Sequence, residues 1–97
     1  MYNTIIIGAG PGGYVSAIRL SQLGKKVAVI EKDQLGGTCA NKGCIPTKTI
    51  LSSAHLYDQI ISNSERFGIN INSATYDLKK IKSFLESIIN QTRKGIE

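Results

Sequence analysis

The two cysteines of this chain, Cys39 and Cys44, are separated by only four residues and are followed closely by Lys48. Two thiols at this spacing can close into a small disulfide ring and open again, which makes them a candidate redox pair. We expect them at the start of a helix, where unpaired N–H groups and the lysine charge would stabilise a thiolate. Such an environment would lower the pKa of a thiol from its free value of about 8.5 and prepare it for thiol–disulfide exchange.

Two other interpretations of the cysteines stay open from the residues alone. Structural zinc needs four Cys or His ligands, and the chain offers only these two cysteines and His55, at a spacing unlike that of a zinc finger. His55 is therefore expected to be an ordinary helix residue. The cysteines could also be inert, buried small side chains, which the flanking glycines and Lys48 argue against.

The residues before the cysteines predict a βαβ unit. Tyr2–Ile7 ends in three consecutive isoleucines, which predicts a strand buried on both faces, and Lys26–Ile30 predicts a second strand. Tyr14–Leu23 has the apolar spacing of a helix, and Gly24 follows as its stop. The predicted fold class is therefore α/β, with parallel strands in the βαβ part of a Rossmann-like domain.

Three glycines, Gly8, Gly10 and Gly13, lie between the first predicted strand and its helix. In a dinucleotide fingerprint, such glycines permit a tight turn, a close approach to a pyrophosphate and close helix–strand packing. Glu31 follows Gly8 by 23 positions, near the ~20 expected of a carboxylate that binds ribose hydroxyls. A carboxylate there would repel a 2′-phosphate. The alternative is a glycine-rich turn that binds no ligand.

Two further helices are predicted after the cysteines. The first runs from Pro46 to about Ser62, and a polar loop follows with one brief extended piece at Ile69–Asn72. Asp77 is a good N-cap for the second, amphipathic helix, which we expect to end at Gly95.

Charge and hydropathy exclude several classes of partner. The net charge is +5, but the basic residues are spread along the chain and no aromatic residues alternate with them, so a nucleic-acid platform is not indicated. No apolar run approaches the ~18 residues of a membrane span, and the first residues carry no positive charge. We expect a cytoplasmic protein, in which an isolated cysteine pair is more often catalytic or metal-binding than structural.

Together these motifs closely resemble those of the flavoprotein disulfide reductases. The resemblance rests on the glycine fingerprint, on Glu31, and on the blocks Gly36-Gly37-Thr38-Cys39 and Gly43-Cys44-Ile45-Pro46-Thr47-Lys48. The end of the second block is most similar to the branch that oxidises protein-bound dihydrolipoamide. Glutathione and mercuric reductases share the same frame and remain alternatives, as does a non-catalytic nucleotide-binding module.

The resemblance implies FAD as the bound cofactor, NAD as the co-substrate and no metal. It implies three catalytic residues: Cys44 as the thiol beside the flavin, Cys39 as the interchange thiol, and Lys48 near the reactive edge of the flavin. The implied cofactor-binding residues are Gly8, Gly10, Pro11, Gly12, Gly13, Glu31, Lys32, Gly37, Thr38, Cys39 and Lys48.

The resemblance also implies a larger protein. Residues 1–97 would be the N-terminal part of a discontinuous FAD-binding domain, with the NAD-binding and dimerisation domains outside them and no activity on their own. The implied partners are a second copy in a homodimer and the lipoyl-bearing proteins of 2-oxoacid dehydrogenase complexes.

Overall fold

Two strands and four α-helices make up the chain, which a computed structural model describes over residues 1–97. In order they are β1 (Thr4–Ile7), α1 (Pro11–Gln22), β2 (Val27–Ile30), α2 (Gly37–Asn41), α3 (Cys44–Asn63) and α4 (Leu78–Ile96), with a short 3-10 helix at Glu65–Phe67. The predicted α/β class is confirmed. The short helix α2, which carries Cys39, was not predicted.

The βαβ unit is formed as predicted, with slightly different boundaries. β1 and β2 pair in parallel, with Thr4 opposite Val27 and Ile7 opposite Ile30. The side-chain oxygen of Asn3 accepts a hydrogen bond of 2.8 Å from the backbone N–H of Lys26 and fixes the start of the second strand. α1 begins at Pro11, three residues earlier than predicted, because proline suits the first helical turn, where no donor is needed.

The prediction that the first strand is buried on both faces is wrong for these residues. Ile6 faces α1, whereas Ile5 and Ile7 point the other way and are 58% and 85% exposed. Successive side chains of a strand point to opposite faces, and α1 covers only one of them. The run of isoleucines therefore predicted a strand that could be buried on both faces. It could not show whether residues 1–97 contain the elements that would cover both faces.

An antiparallel helical hairpin extends from the βαβ unit. The hairpin consists of α3 and α4, and at its tip the rings of Tyr57 and Tyr76 pack edge to face with centroids 5.4 Å apart. Asp77 caps α4 as predicted, because its side chain accepts hydrogen bonds from the N–H groups of Lys79 at 2.9 Å and Lys80 at 3.3 Å. α4 continues through Gly95 to Ile96, so the predicted stop is wrong.

The loop between the hairpin helices contains no strand. The brief extended piece predicted at Ile69–Asn72 is irregular backbone, since no neighbouring strand is there to pair with it. No helix of the chain combines the length and apolar character that crossing a bilayer requires.

The whole chain is elongated, and its best-packed part is small. The radius of gyration is 19.2 Å, against about 13 Å for a compact domain of 100 residues. The four buried residues are Ala9, Gly36, Ala40 and Pro46. They lie where the glycine-rich loop meets α2 and the start of α3. The buried part of the chain therefore lies beside the glycine-rich loop and the cysteines that the sequence analysis identified.

Candidate functional site

The glycine loop, which we define as Gly8–Gly13, is packed too closely for larger residues. A Cβ atom on Gly13 would overlap the carbonyl oxygen of Gly8 and lie 3.5 Å from the side chain of Ile6. Gly13 therefore lets α1 lie directly against β1, as the fingerprint requires.

The N-terminus of α1 offers hydrogen-bond donors to the space above this loop. Gly10 is the N-cap and Pro11 the first helical residue, and no side chain caps the helix. The backbone N–H groups of Gly12 and Gly13 belong to the first turn, which has no intrahelical acceptors for them. Donors of this kind, with the positive end of the helix dipole, suit a phosphate.

Glu31 holds the glycine loop through its carboxylate. Oε1 accepts a hydrogen bond of 2.8 Å from the N–H of Ala9, and Oε2 accepts one of 3.0 Å from the N–H of Asp33. These two hydrogen bonds lower the pKa of Glu31 below its ordinary value of 4.5, and the bond from Ala9 has the larger effect. The carboxylate therefore stays ionised, and its remaining lone pairs can still accept bonds from ligand hydroxyls.

The glycine loop also touches the segment that carries the cysteines. The N–H of Gly36 donates to the carbonyl oxygen of Ala9 at 2.8 Å. One residue later, a Cβ on Gly37 would lie 2.8 Å from the Cα of Gly10, and its φ of +65° also favours glycine. The two backbones are thus in direct contact, which places the start of α2 beside the glycine loop.

A polar cavity of about 250 Å³ opens between these elements. Four of the predicted cofactor-binding residues line it: Glu31, Lys32, Gly37 and Thr38. No apolar side chain contributes to its walls. Such a cavity suits a hydroxyl-rich or charged group rather than an apolar ring.

The two cysteine side chains are brought together by adjacent helices. Cys39 is half-buried in the middle of α2, and Cys44 is exposed as the first residue of α3. Both are free thiols in this structure. A hydrogen bond with the Cys44 side chain raises the pKa of Cys39, and partial burial adds to this shift, while Lys48 lowers it by less. The expectation of a lowered thiol pKa is therefore wrong for Cys39, because the neighbouring sulfur outweighs the lysine.

Lys48 follows Cys44 by one turn of α3, as predicted, and is exposed. It lies outside the polar cavity and instead lines a shallow groove beside Phe84 and Ile88 of α4. Its charge nevertheless acts on Cys39. The structure thus brings the three predicted catalytic residues to one end of the helical hairpin.

Two polar residues at this site were not predicted. Asn41, the last residue of α2, donates from Nδ2 to the carbonyl oxygens of Leu35 at 3.0 Å and Gly37 at 2.8 Å. Its Oδ1 accepts a hydrogen bond of 2.5 Å from Nε of Arg93, in α4. The partners lie 52 positions apart in the chain, so no local sequence pattern could have predicted this contact.

The fold agrees with comparisons to known proteins. The sequence profile of the pyridine nucleotide-disulphide oxidoreductase family matches residues 2–97, and the chain belongs to that family. In structure, it is similar to the Cu(II) complex of the HOCl-induced flavoprotein disulfide reductase RclA from Escherichia coli. The TM-score is 0.73 at 30% identity, covering 98% of this chain and 18% of that one.

Several proteins of similar sequence are dihydrolipoyl dehydrogenases. The chain is 46% identical to a dihydrolipoyl dehydrogenase of Geobacillus stearothermophilus over 97% of its length and 20% of the relative's. It is 45% identical to one of Staphylococcus aureus over 98% of its length and 20% of the relative's. For a mitochondrial dihydrolipoyl dehydrogenase of Dictyostelium discoideum, identity is 40% over the same shares of 98% and 20%. The chain thus spans about one fifth of the length of these relatives.

Proposed function

We propose that these residues supply the cofactor loop and the redox-active cysteine pair of an FAD-dependent dihydrolipoyl dehydrogenase. The observation that carries the proposal is the backbone contact between Gly37 and Gly10, by which the helix of Cys39 adjoins the glycine loop. The similarity to dihydrolipoyl dehydrogenases over nearly the whole chain supports this choice of branch.

The residues of the site fit FAD in three respects. The glycine loop has no room for a Cβ at Gly13, α1 presents free N–H groups, and the adjoining cavity is polar and contains the ionised Glu31. Gly12 and Gly13 would donate to the pyrophosphate, and Glu31 would accept from the ribose hydroxyls. The full set that would hold the cofactor is Gly8, Gly10, Pro11, Gly12, Gly13, Glu31, Lys32, Gly37, Thr38, Cys39 and Lys48. When bound, FAD would supply a two-electron acceptor for thiol chemistry.

The cysteines would perform thiol–disulfide exchange with a dihydrolipoyl group. A substrate thiolate attacks Sγ of Cys39 in the Cys39–Cys44 disulfide, forming a mixed disulfide and releasing the Cys44 thiolate. The second substrate thiolate then attacks the substrate sulfur of the mixed disulfide, closes the lipoyl ring and releases Cys39. The dihydrolipoyl group passes two electrons to the cysteine pair, and its two thiol protons pass to solvent. The charge of Lys48 would help to hold the Cys44 thiolate.

The remaining parts of the proposal concern the intact protein. Residues 1–97 would be part of a discontinuous FAD-binding domain, with NAD-binding and dimerisation domains elsewhere in a cytoplasmic homodimer. NAD would be the final acceptor, and lipoyl-bearing proteins of 2-oxoacid dehydrogenase complexes would be the partners. The exposed face of β1 and the elongated shape support a requirement for further packing partners.

The test is NAD reduction by dihydrolipoamide, measured with the intact gene product. We expect Cys39→Ser and Cys44→Ser each to lower kcat by at least about a thousandfold, since each removes an indispensable sulfur. Ser21→Ala, on the exposed end of α1, is the control and should retain activity.

Other outcomes would contradict defined parts of the proposal. Turnover of glutathione disulfide or mercuric ion in place of dihydrolipoamide would refute the substrate and leave the family assignment intact. A protein that stays colourless after supplementation with FAD would refute the cofactor. Undiminished turnover by both serine variants would refute the role of the cysteines.

A further inference from the structure

The helix that carries Cys39 is too short to be stable by itself. α2 has five residues, Gly37–Asn41, and isolated helices well over twice that length are marginal in water. Its N-cap residue, Gly36, has a positive φ, and no side chain caps its N-terminus. The position of Cys39 therefore depends on contacts that α2 makes with the rest of the chain.

Asn41 supplies polar contacts at both ends of this helix. Its Nδ2 donates to the carbonyl oxygen of Gly37, at the start of α2, and to that of Leu35, in the segment leading into it. Both donors and the acceptor of the amide are used, because Oδ1 accepts from Arg93. Asn41 therefore ties the last residue of α2 to its first residue and to the segment before it.

Arg93 connects Asn41 to the long helix α4. It provides the single side-chain-to-side-chain hydrogen bond between residues more than four positions apart in the chain. The end of α4 also packs on the residue before α2, since a Cβ on Gly36 would lie 3.4 Å from Cδ1 of Ile96. α4 packs in turn against α3, which begins with Cys44. Arg93 thus connects α2, which carries Cys39, to α4, which packs against the helix that carries Cys44.

We propose that Asn41 and Arg93 are positioning residues that hold Cys39 within bonding distance of Cys44 and so favour closure of the disulfide. The proposal rests on the proposed function, in which these two thiols are a redox pair. Loss of these hydrogen bonds would let α2 move, which would lower the effective concentration of the Cys39 thiol near the Cys44 thiol. Closure would then become less favourable, although neither sulfur had been changed.

The hydrogen bond can be separated from the charge and the bulk of Arg93. In Arg93→Gln the side-chain amide nitrogen occupies the same position along the side chain as Nε of arginine, so an N–H donor is retained without the charge. In Arg93→Met a methyl group occupies that position, so the donor is lost. Lys94→Met removes a positive charge from the neighbouring exposed residue and controls for charge alone.

The experiment measures disulfide closure in the intact protein without using catalysis. Each variant is equilibrated with reduced and oxidised dithiothreitol, and Cys39 and Cys44 are then alkylated and counted by peptide mass spectrometry. Closure forms the bond between the two sulfurs and transfers two electrons and two protons to oxidised dithiothreitol. We expect Arg93→Met and Asn41→Ala to lower the equilibrium constant for closure by about tenfold, equivalent to about 30 mV. Arg93→Gln and Lys94→Met should stay close to the unmodified protein.

Three results would overturn the inference. Equal effects of Arg93→Gln and Arg93→Met would show that the hydrogen bond is not the cause, and unchanged or more favourable closure in Arg93→Met would show that no such support exists. Both of these results leave the proposed function standing. If the unmodified protein forms no Cys39–Cys44 disulfide, the proposed function fails and the inference fails with it. If Arg93→Met cannot be recovered folded, Asn41→Ala decides the question from the other end of the bond.

Discussion

The carboxylate of Glu31 is hydrogen-bonded to the backbone N–H of Ala9, 22 residues earlier in the chain, at 2.8 Å. Glu31, the residue proposed to bind ribose, therefore already has a structural role. From its position directly after β2, it holds the glycine loop that follows β1. Cofactor affinity and loop order should consequently change together when Glu31 is replaced.

Glu31→Gln is the first test of this double role. A glutamine can accept from only one of the N–H groups of Ala9 and Asp33, and its own amide donor would face the other. We expect FAD affinity in the intact protein to fall by at least about tenfold, the loss typical of one charge-assisted hydrogen bond. Fluorescence titration with FAD measures this, and Glu86→Gln on the exposed face of α4 is the matched control. Unchanged affinity would argue against Glu31 as a ribose ligand.

The same variant should change the pH dependence of stability. The backbone hydrogen bonds keep the pKa of Glu31 in the folded protein below its ordinary value of 4.5. The stability that Glu31 contributes is therefore fully present above about pH 5 and is lost as the pH falls through its folded-state pKa. Urea unfolding midpoints of the unmodified protein and of Glu31→Gln should accordingly differ at neutral pH and converge in acid. A difference that grows as the pH falls contradicts this sign.

Two neighbouring glycines of α1 should respond in opposite ways to alanine. In Gly13→Ala the new methyl group would overlap the carbonyl oxygen of Gly8, so we expect a loss of about 1–3 kcal/mol in the free energy of unfolding. A Cβ on Gly12 would have no atom within 4 Å, so Gly12→Ala should be neutral or more stable by up to about 1 kcal/mol. Denaturant unfolding of the cofactor-free intact protein compares the two, and equal effects would rule out the close packing.

Cys44 and Lys48 should have opposite effects on the pH at which Cys39 becomes reactive. The hydrogen bond with Cys44 is the main cause that raises the pKa of Cys39, while Lys48 lowers it. In the reduced protein, Cys44→Ala should therefore shift the pH profile of Cys39 alkylation to lower pH, and Lys48→Met should shift it to higher pH.

Peptide mass spectrometry after timed reaction with iodoacetamide resolves Cys39 from Cys44 and supplies both profiles. Lys25→Met, an exposed lysine after α1, is the control for a change of charge alone. A shift to higher pH in Cys44→Ala would mean that the neighbouring sulfur favours the thiolate of Cys39, contrary to the structure.

Gly95 offers a test of where α4 ends. The helix runs through this residue to Ile96, and a Cβ there would have no atom within 4 Å. Gly95→Ala should therefore increase the free energy of unfolding by about 0.5–1 kcal/mol, because alanine costs less entropy than glycine within a helix. A decrease in thermal midpoint would instead support the stop that the sequence predicted.

The parts of the fold that were predictable are those that local chemistry determines. Gly13 could be assigned because close helix–strand packing excludes a side chain wherever this turn occurs. Asp77 could be assigned as a cap because its carboxylate satisfies N–H groups only two and three residues away. The three isoleucines of β1 likewise identified a strand, although burial of Ile5 and Ile7 depends on a layer that no local pattern describes.

The parts that were missed depend on distant partners or on competing effects. α2 has five residues, too few for a helical periodicity to be visible. The bond from Arg93 to Asn41 joins residues 52 positions apart. For Cys39, both the lysine and the second thiol were visible in the sequence, but the direction of the pKa shift depends on the hydrogen bond that the fold allows between the two thiols.

The contact of Gly37 with Gly10 has a consequence for how such a protein can be altered. The backbone of Gly10 occupies the volume that a side chain on Gly37 would need, so the start of α2 cannot be enlarged while the glycine loop stays in place. A side chain at position 37 would push the helix that carries Cys39 away from that loop. Engineering α2 in this scaffold would therefore require a compensating change in the glycine loop.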